Sequence, residues 1–157
     1  MIKQIVLAFL GSVFPVILFN IDRKKIIWTG ICGAIGWMAY LLVYNYSHSS
    51  VSSSFIGSFI VGIYSEFMAK KLKTPAVQFS IPGIFPLVPG ITAYNTINSI
   101  VEQNYSLAYF KGMETVAVGG AIAFGIMLSS TTFRFILKLM KKKYKGDVAL
   151  RDKYGRK

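Results

Sequence analysis

The 157-residue chain is both strongly apolar and strongly basic, with 54% hydrophobic residues, 15% charged residues and a formal net charge of +12. Soluble domains carry about 25% charged residues, and disordered chains combine net charge with low hydrophobicity, so the composition excludes both classes. The single cysteine excludes an internal disulfide, and the single histidine argues against a histidine-based catalytic or zinc centre. The composition therefore predicts an all-α integral membrane protein.

Five apolar segments have the length needed to cross a bilayer, which is about 20 residues. The first carries Lys3, lacks a small-residue cleavage site and is followed by basic residues, so we expect a retained span rather than a signal peptide. The predicted transmembrane domain covers residues 1–140, and a basic cytoplasmic tail covers 141–157. The five predicted spans are residues 2–19, 26–44, 51–69, 76–100 and 115–137.

The distribution of Lys and Arg predicts the orientation of the chain. All but two of the 18 basic residues end or follow the first, third and fifth spans, and Lys3 and Lys111 are the exceptions. Because basic residues accumulate on the cytoplasmic side, we expect the N-terminus outside and the C-terminus in the cytoplasm of a multi-pass plasma-membrane protein. We expect the tail to touch anionic lipid rather than nucleic acid.

Small residues recur every four positions in two of the predicted spans. Such stripes allow helix backbones to approach closely in a membrane, so we expect these faces to meet other helices, in this chain or in a partner. The third span presents Ser54, Ser58, Gly62 and Glu66, and the fifth presents Ala117, Ala121, Gly125 and Ser129.

Glu66 is the one acidic residue well inside a predicted span. A charged carboxylate at the bilayer centre costs at least about 2.5–3.5 kcal/mol, which makes it a functional candidate by default. One hypothesis is a protonatable group coupled to transport. The alternative is an i,i+4 ion pair with Lys70 near the cytoplasmic interface.

The fourth span contains three prolines within eight residues: Pro82, Pro86 and Pro89. Each proline lacks an N–H, so the carbonyls of Gln78, Pro82 and Phe85 are predicted to lose their helical donors. Unpaired backbone inside a membrane is tolerated only against protein or a water-filled cavity. The pattern therefore predicts a discontinuous or re-entrant element.

Polar residues follow this break at Thr92, Asn95 and Asn98, with Tyr94 beside them. A half-helix starting near Gly90 would direct its N-terminal amides towards a substrate carboxylate, an arrangement found in secondary transporters. The alternative is a proline-kinked structural helix. The predicted substrate path comprises Pro82, Gly83, Pro86, Pro89, Gly90, Thr92, Tyr94, Asn95 and Asn98.

The stretch from Glu66 to Tyr94 resembles the threonine/serine exporter family, specifically its smaller subunit that corresponds to the C-terminal half. The resemblance is carried by Glu66, Ala69-Lys70-Lys71, Lys73, Pro75, the run from Ile81 to Gly90, and Tyr94, with further likeness at Ala121–Met127. It implies ion-driven export of threonine, serine or small organic acids. It also implies a separately encoded, larger membrane subunit as partner, and it favours Glu66 as the proton-coupling residue.

These observations favour an exporter subunit, with a non-transporting membrane scaffold or assembly protein as the alternative. A homo-oligomer is a further possibility. The sequence shows no paired intramembrane carboxylates and no nucleophile with a base nearby, which are the usual means of activating water or a nucleophile. We therefore expect neither an enzyme nor a cofactor or metal.

Overall fold

The structure, a computed structural model, describes residues 2–19, 22 and 25–154, with side chains described as far as residue 140. This part of the chain is helical and contains no strand. It forms α1 (Ile2–Leu18), α2 (Ile26–Ser47), α3 (Ser50–Leu72), α4 (Val77–Ile84), a 3₁₀ turn (Phe85–Leu87), α5 (Gly90–Val101) and α6 (Tyr105–Tyr154).

Three of these helices are long and apolar enough to cross a membrane: α2, α3 and the Tyr105–Met140 part of α6. The helix α1 is apolar but has 17 residues. The predicted fourth span consists of two short pieces, the 8 residues of α4 and the 12 residues of α5, so neither piece alone reaches the length of a bilayer.

A two-residue connection makes α2 and α3 an antiparallel pair. His48 adopts the left-handed conformation with φ 50° and donates its N–H to the Tyr44 carbonyl, which ends α2. Ser49 then caps α3 by accepting the Ser52 N–H at 3.4 Å. A short polar side chain at this position satisfies a backbone donor that has no intrahelical partner.

The small-residue stripes of α3 and α6 pack against each other within the chain. A Cβ added at Gly125 would lie 2.7 Å from the Phe55 carbonyl oxygen, and one added at Gly62 would lie 2.7 Å from the Ser129 Cβ. The two backbones are therefore so close that only glycine fits, as the i+4 spacing predicts. Gly33 of α2 likewise allows a close approach to α1, because a Cβ added there would overlap the side chain of Ser12.

The helix α4 is inserted into the core beside α2 and α3. Phe79 and Pro82 are fully buried, and a Cβ at Gly83 would lie 2.8 Å from the Cys32 Sγ and 3.0 Å from Val61. At the start of α4, the Lys25 Nζ donates to the Gln78 Oε1 at 2.9 Å, which joins this end of α4 to the beginning of α2.

The backbone leaves the α-helical conformation between α4 and α5, but Pro82 lies inside α4 rather than ending it. The carbonyl of Pro82 accepts the N–H of Phe85, and the carbonyl of Phe85 accepts the N–H of Val88 at 3.3 Å. These two carbonyls do not accept the α-helical bond from the residue four positions on, but each accepts an N–H three positions on and is not left unpaired. In a 3₁₀ turn each carbonyl accepts the N–H of the third residue after it. Here that residue is Phe85 or Val88, and the proline at the fourth position, which has no N–H, is not needed as a donor.

Pro89 completes the break with φ −76° and ψ 58°, and the Gly90 N–H donates to the Val88 carbonyl at 2.8 Å. These values are those of an inverse γ-turn, and α5 begins directly after it. From there α5 packs mainly on the first part of α6, with Thr96 facing Gly112.

The last helix begins ten residues before the predicted span and continues beyond it. The predicted span 115–137 lies within α6, which starts at Tyr105 and extends without interruption to Tyr154. The side chains of the predicted basic tail, 141–157, lie outside the described residues, so its contact with lipid remains a prediction.

Candidate functional site

A cleft of about 290 Å³ lies where the backbone departs from the helix. Its base is the segment from Pro86 to Thr92, and its walls are side chains from three other helices. Those side chains are Trp37 and Tyr40 from α2, Ser50 and Ser54 from α3, and Glu114 and Val118 from α6. The interrupted segment therefore borders a cavity.

The α2 wall of the cleft is aromatic. The rings of Trp37 and Tyr40 are stacked, with centroids 4.9 Å apart and planes within 11°, and Tyr44 continues the stack at 5.7 Å. Among the described residues, the buried Trp37 Nε1 has no hydrogen-bond partner. Rigid aromatic surfaces with a polar edge provide apolar contact area and a donor at little cost in conformational entropy.

The base of the cleft includes the first turn of α5. Pro89 precedes α5 without a side-chain cap, so the N–H groups of Ile91 and Thr92 have no acceptor within the helix. The Thr92 hydroxyl donates to the Pro89 carbonyl at 3.0 Å and does not occupy these donors. The N-terminus of a helix attracts a carboxylate because its free N–H groups are donors and the helix dipole places a partial positive charge there.

The cleft also contains a negative charge, the carboxylate of Glu114. Its Oε2 accepts from the Lys111 Nζ at 3.1 Å, and the two side chains are 32% and 36% exposed. An ion pair that water reaches contributes a median of about 0–1 kcal/mol. The Glu114 carboxylate can therefore exchange Lys111 for another cation at little cost.

The structure brings four of the predicted path residues to the cleft: Pro86, Pro89, Gly90 and Thr92. Pro82 and Gly83 are buried in the core and position α4 instead. Tyr94 and Asn95 are exposed. Asn98 donates its side-chain amide to Glu102 at 2.8 Å, at the far end of α5.

Glu66 lines a separate cavity of about 540 Å³, called here the Glu66 cavity. Along α3 it lies 12 residues beyond Ser54, a distance of about 18 Å, so the close contact between α3 and α6 separates it from the cleft. The alternative i,i+4 ion pair between Glu66 and Lys70 is not found in the described part of the chain.

Reasoning from the sequence missed the residues that make the walls of the cleft. Trp37 and Tyr40 lie within an ordinary apolar run, and Glu114 immediately precedes the predicted fifth span. Their positions along the chain are far apart, and only the folded arrangement of α2, α3 and α6 brings them together. One usable signal was present in Ser50 and Ser54, two hydroxyls spaced i,i+4 at the start of a span.

Comparison with known proteins identifies the family. A family model described as "Threonine/Serine exporter, ThrE" matches residues 4–132. A protein of Haemophilus influenzae, described as uncharacterized, is 23% identical over 141 residues, which is 85% of this chain and 48% of that protein. The chain thus spans about half the length of this curated relative. No solved structure gives a significant match. Because the family match covers most of the chain and the helices suit a bilayer, this membrane protein belongs to the threonine/serine exporter family.

Proposed function

We propose that the chain is a subunit of an ion-driven exporter of threonine, serine or similar small organic acids, and that the cleft is part of the solute path. Family membership supports the transport class. The observation that carries the proposal is that the uncapped first turn of α5 and the Glu114 carboxylate line the same cleft.

This arrangement suits a zwitterion. The substrate carboxylate would accept from the amides at the start of α5, and its ammonium would replace Lys111 on Glu114. The aromatic wall would contact the short side chain, and Ser50 and Ser54 would offer hydroxyls to a substrate hydroxyl. Each hydrogen bond to a charged group contributes about 1.5–3 kcal/mol, so a few such contacts suffice for a small solute.

The chain would span the plasma membrane five times, with its N-terminus outside and its C-terminus in the cytoplasm. The two short pieces α4 and α5 would together form the fourth passage, as broken helices do in other secondary transporters. A larger membrane subunit of the same family would complete the exporter. Glu66 would be the proton-coupling residue on the cytoplasmic side.

Efflux measurements with a matched pair of variants test this function. In cells that produce the chain with its larger partner, Glu114→Gln should lower the efflux of labelled threonine and serine about tenfold or more, because one charged contact is lost. The control Glu102→Gln alters a carboxylate that lies outside the cleft and is bonded to Asn98. It should leave efflux within about twofold of the wild type, a change worth only about 0.4 kcal/mol.

Equal efflux from both variants, with normal amounts of each in the membrane, would remove the cleft from the path. Absence of substrate-dependent efflux in the wild type, despite an intact complex, would instead favour the scaffold function. In that case Pro89→Ala and Asn95→Ala should disturb assembly.

A further inference from the structure

The Glu66 cavity has a strongly unbalanced lining. Three cationic side chains border it, Lys70 and Lys73 at the end of α3 and Arg134 on α6, against the single carboxylate of Glu66. None of the three forms an ion pair within the described part of the chain. The lining therefore has two positive charges more than it has negative ones, in a space of about 540 Å³.

The turn that follows α3 also contributes to this lining. The Oγ1 of Thr74 is buried and has no hydrogen-bond partner among the described residues. Lys73 adopts the left-handed conformation with φ 53°, and the Thr74 N–H donates to the Ala69 carbonyl at 3.0 Å, which folds this segment back beside the end of α3. This turn places Lys73 and Thr74 in the lining of the cavity.

We propose that the Glu66 cavity binds a phosphate group, supplied by an anionic lipid headgroup or by a soluble phosphate ester. A phosphate offers several acceptor oxygens and negative charge to one guanidinium fork and two ammonium groups. Basic pockets between membrane helices on the cytoplasmic side are typical sites for such headgroups. Glu66 lowers the affinity here and limits the positive charge of the empty cavity.

The neighbouring basic residues provide a charge-matched control. The Lys71 Nζ lies 5.3 Å from the centroid of the Trp28 ring and so faces α2, and neither Lys71 nor Lys138 lines the cavity. The pair K70Q/R134Q therefore removes the same charge from the chain as the pair K71Q/K138Q. Only the first pair removes it from the cavity.

Native mass spectrometry of the full chain, titrated with phosphatidylglycerol, measures the affinity. We expect one tightly retained lipid per chain. K70Q/R134Q should weaken binding about thirtyfold, or about 2 kcal/mol, and K71Q/K138Q should leave it within about threefold, or about 0.7 kcal/mol. K70R/R134K should retain binding because it keeps both charges, and Glu66→Gln should strengthen it.

Titration with glycerol phosphate and inorganic phosphate distinguishes the source. Binding of phosphatidylglycerol alone assigns a lipid headgroup, whereas binding of the soluble compounds assigns a free phosphate group. Equal weakening by the two double variants would show diffuse surface attraction and overturn the proposal. So would weaker binding in Glu66→Gln, or no binding of any of the three probes. Lys73→Gln, a single change at an exposed position, repeats the test if K70Q/R134Q is unstable.

Discussion

The contact between α3 and α6 predicts opposite effects for two glycines of the same helix. At Gly125 an added methyl group would overlap the Ser58 Oγ and lie 2.7 Å from the Phe55 carbonyl oxygen and 3.1 Å from the Phe59 amide nitrogen. An ordinary contact needs about 3.5 Å, so α6 must move away by about 0.8 Å along its best-packed face. Forcing one extra carbon into such a site costs about 1–3 kcal/mol. At Gly119 nothing lies within 4 Å of the added carbon.

Gly119→Ala should therefore stabilise the protein by about 0.5–1 kcal/mol, because alanine loses less entropy than glycine in a helix. The two variants should then differ by about 1.5–4 kcal/mol. For a chain of this size the difference corresponds to at least about 3 °C in the unfolding temperature. The single, fully buried Cys32 supplies the assay, since a thiol-reactive fluorophore reports its exposure on heating. Equal unfolding temperatures for Gly125→Ala and Gly119→Ala would refute the close α3–α6 contact.

Three further predictions concern the cap, the acidic residue of α3 and the orientation. Ser49→Ala should destabilise the protein by about 0.5–1 kcal/mol in the same thiol assay through loss of the helix cap, whereas Ser52→Ala, which keeps the capped N–H, should not. Glu66→Gln should lower efflux much more than it lowers the amount of protein in the membrane; unchanged efflux would leave Glu66 a structural role. Reporters inserted in residues 45–50 and after Lys145 should label opposite faces of the membrane, and labelling on one face would contradict five passages.

The sequence predicts the long helices well, because apolar length decides them. The predicted spans 26–44 and 51–69 lie within three residues of the ends of α2 and α3. The start of α6 was placed ten residues late because Lys111 and Glu114 interrupt the apolar run. In the folded chain these two side chains pair one helical turn apart, so the helix continues through them.

The site was less accessible to sequence reasoning. Proline chemistry predicted interruptions at Pro82, Pro86 and Pro89, whereas Pro82 lies inside α4. The spacing of the prolines did not show that 3₁₀ bonds recover two of the carbonyls. Nor did the i,i+3 pattern of Thr92, Asn95 and Asn98 show which side chain faces the cleft, because that depends on where α6 lies against α5. Of the three, only Thr92 lines the cleft.

The continuity of α6 has a mechanical consequence. Glu114 lies 11 residues before Gly125 and Arg134 lies 9 residues after it. These two lining residues of the cleft and the Glu66 cavity are therefore about 16 Å and about 14 Å from the contact of Gly125 with α3, on opposite sides of it. Tilting α6 by about 10° about the Gly125 contact would move Glu114 by about 3 Å and Arg134 by about 2 Å, in opposite directions. Such a tilt would widen the cleft while it narrows the Glu66 cavity, or the reverse, without changing the length or the backbone hydrogen bonds of α6.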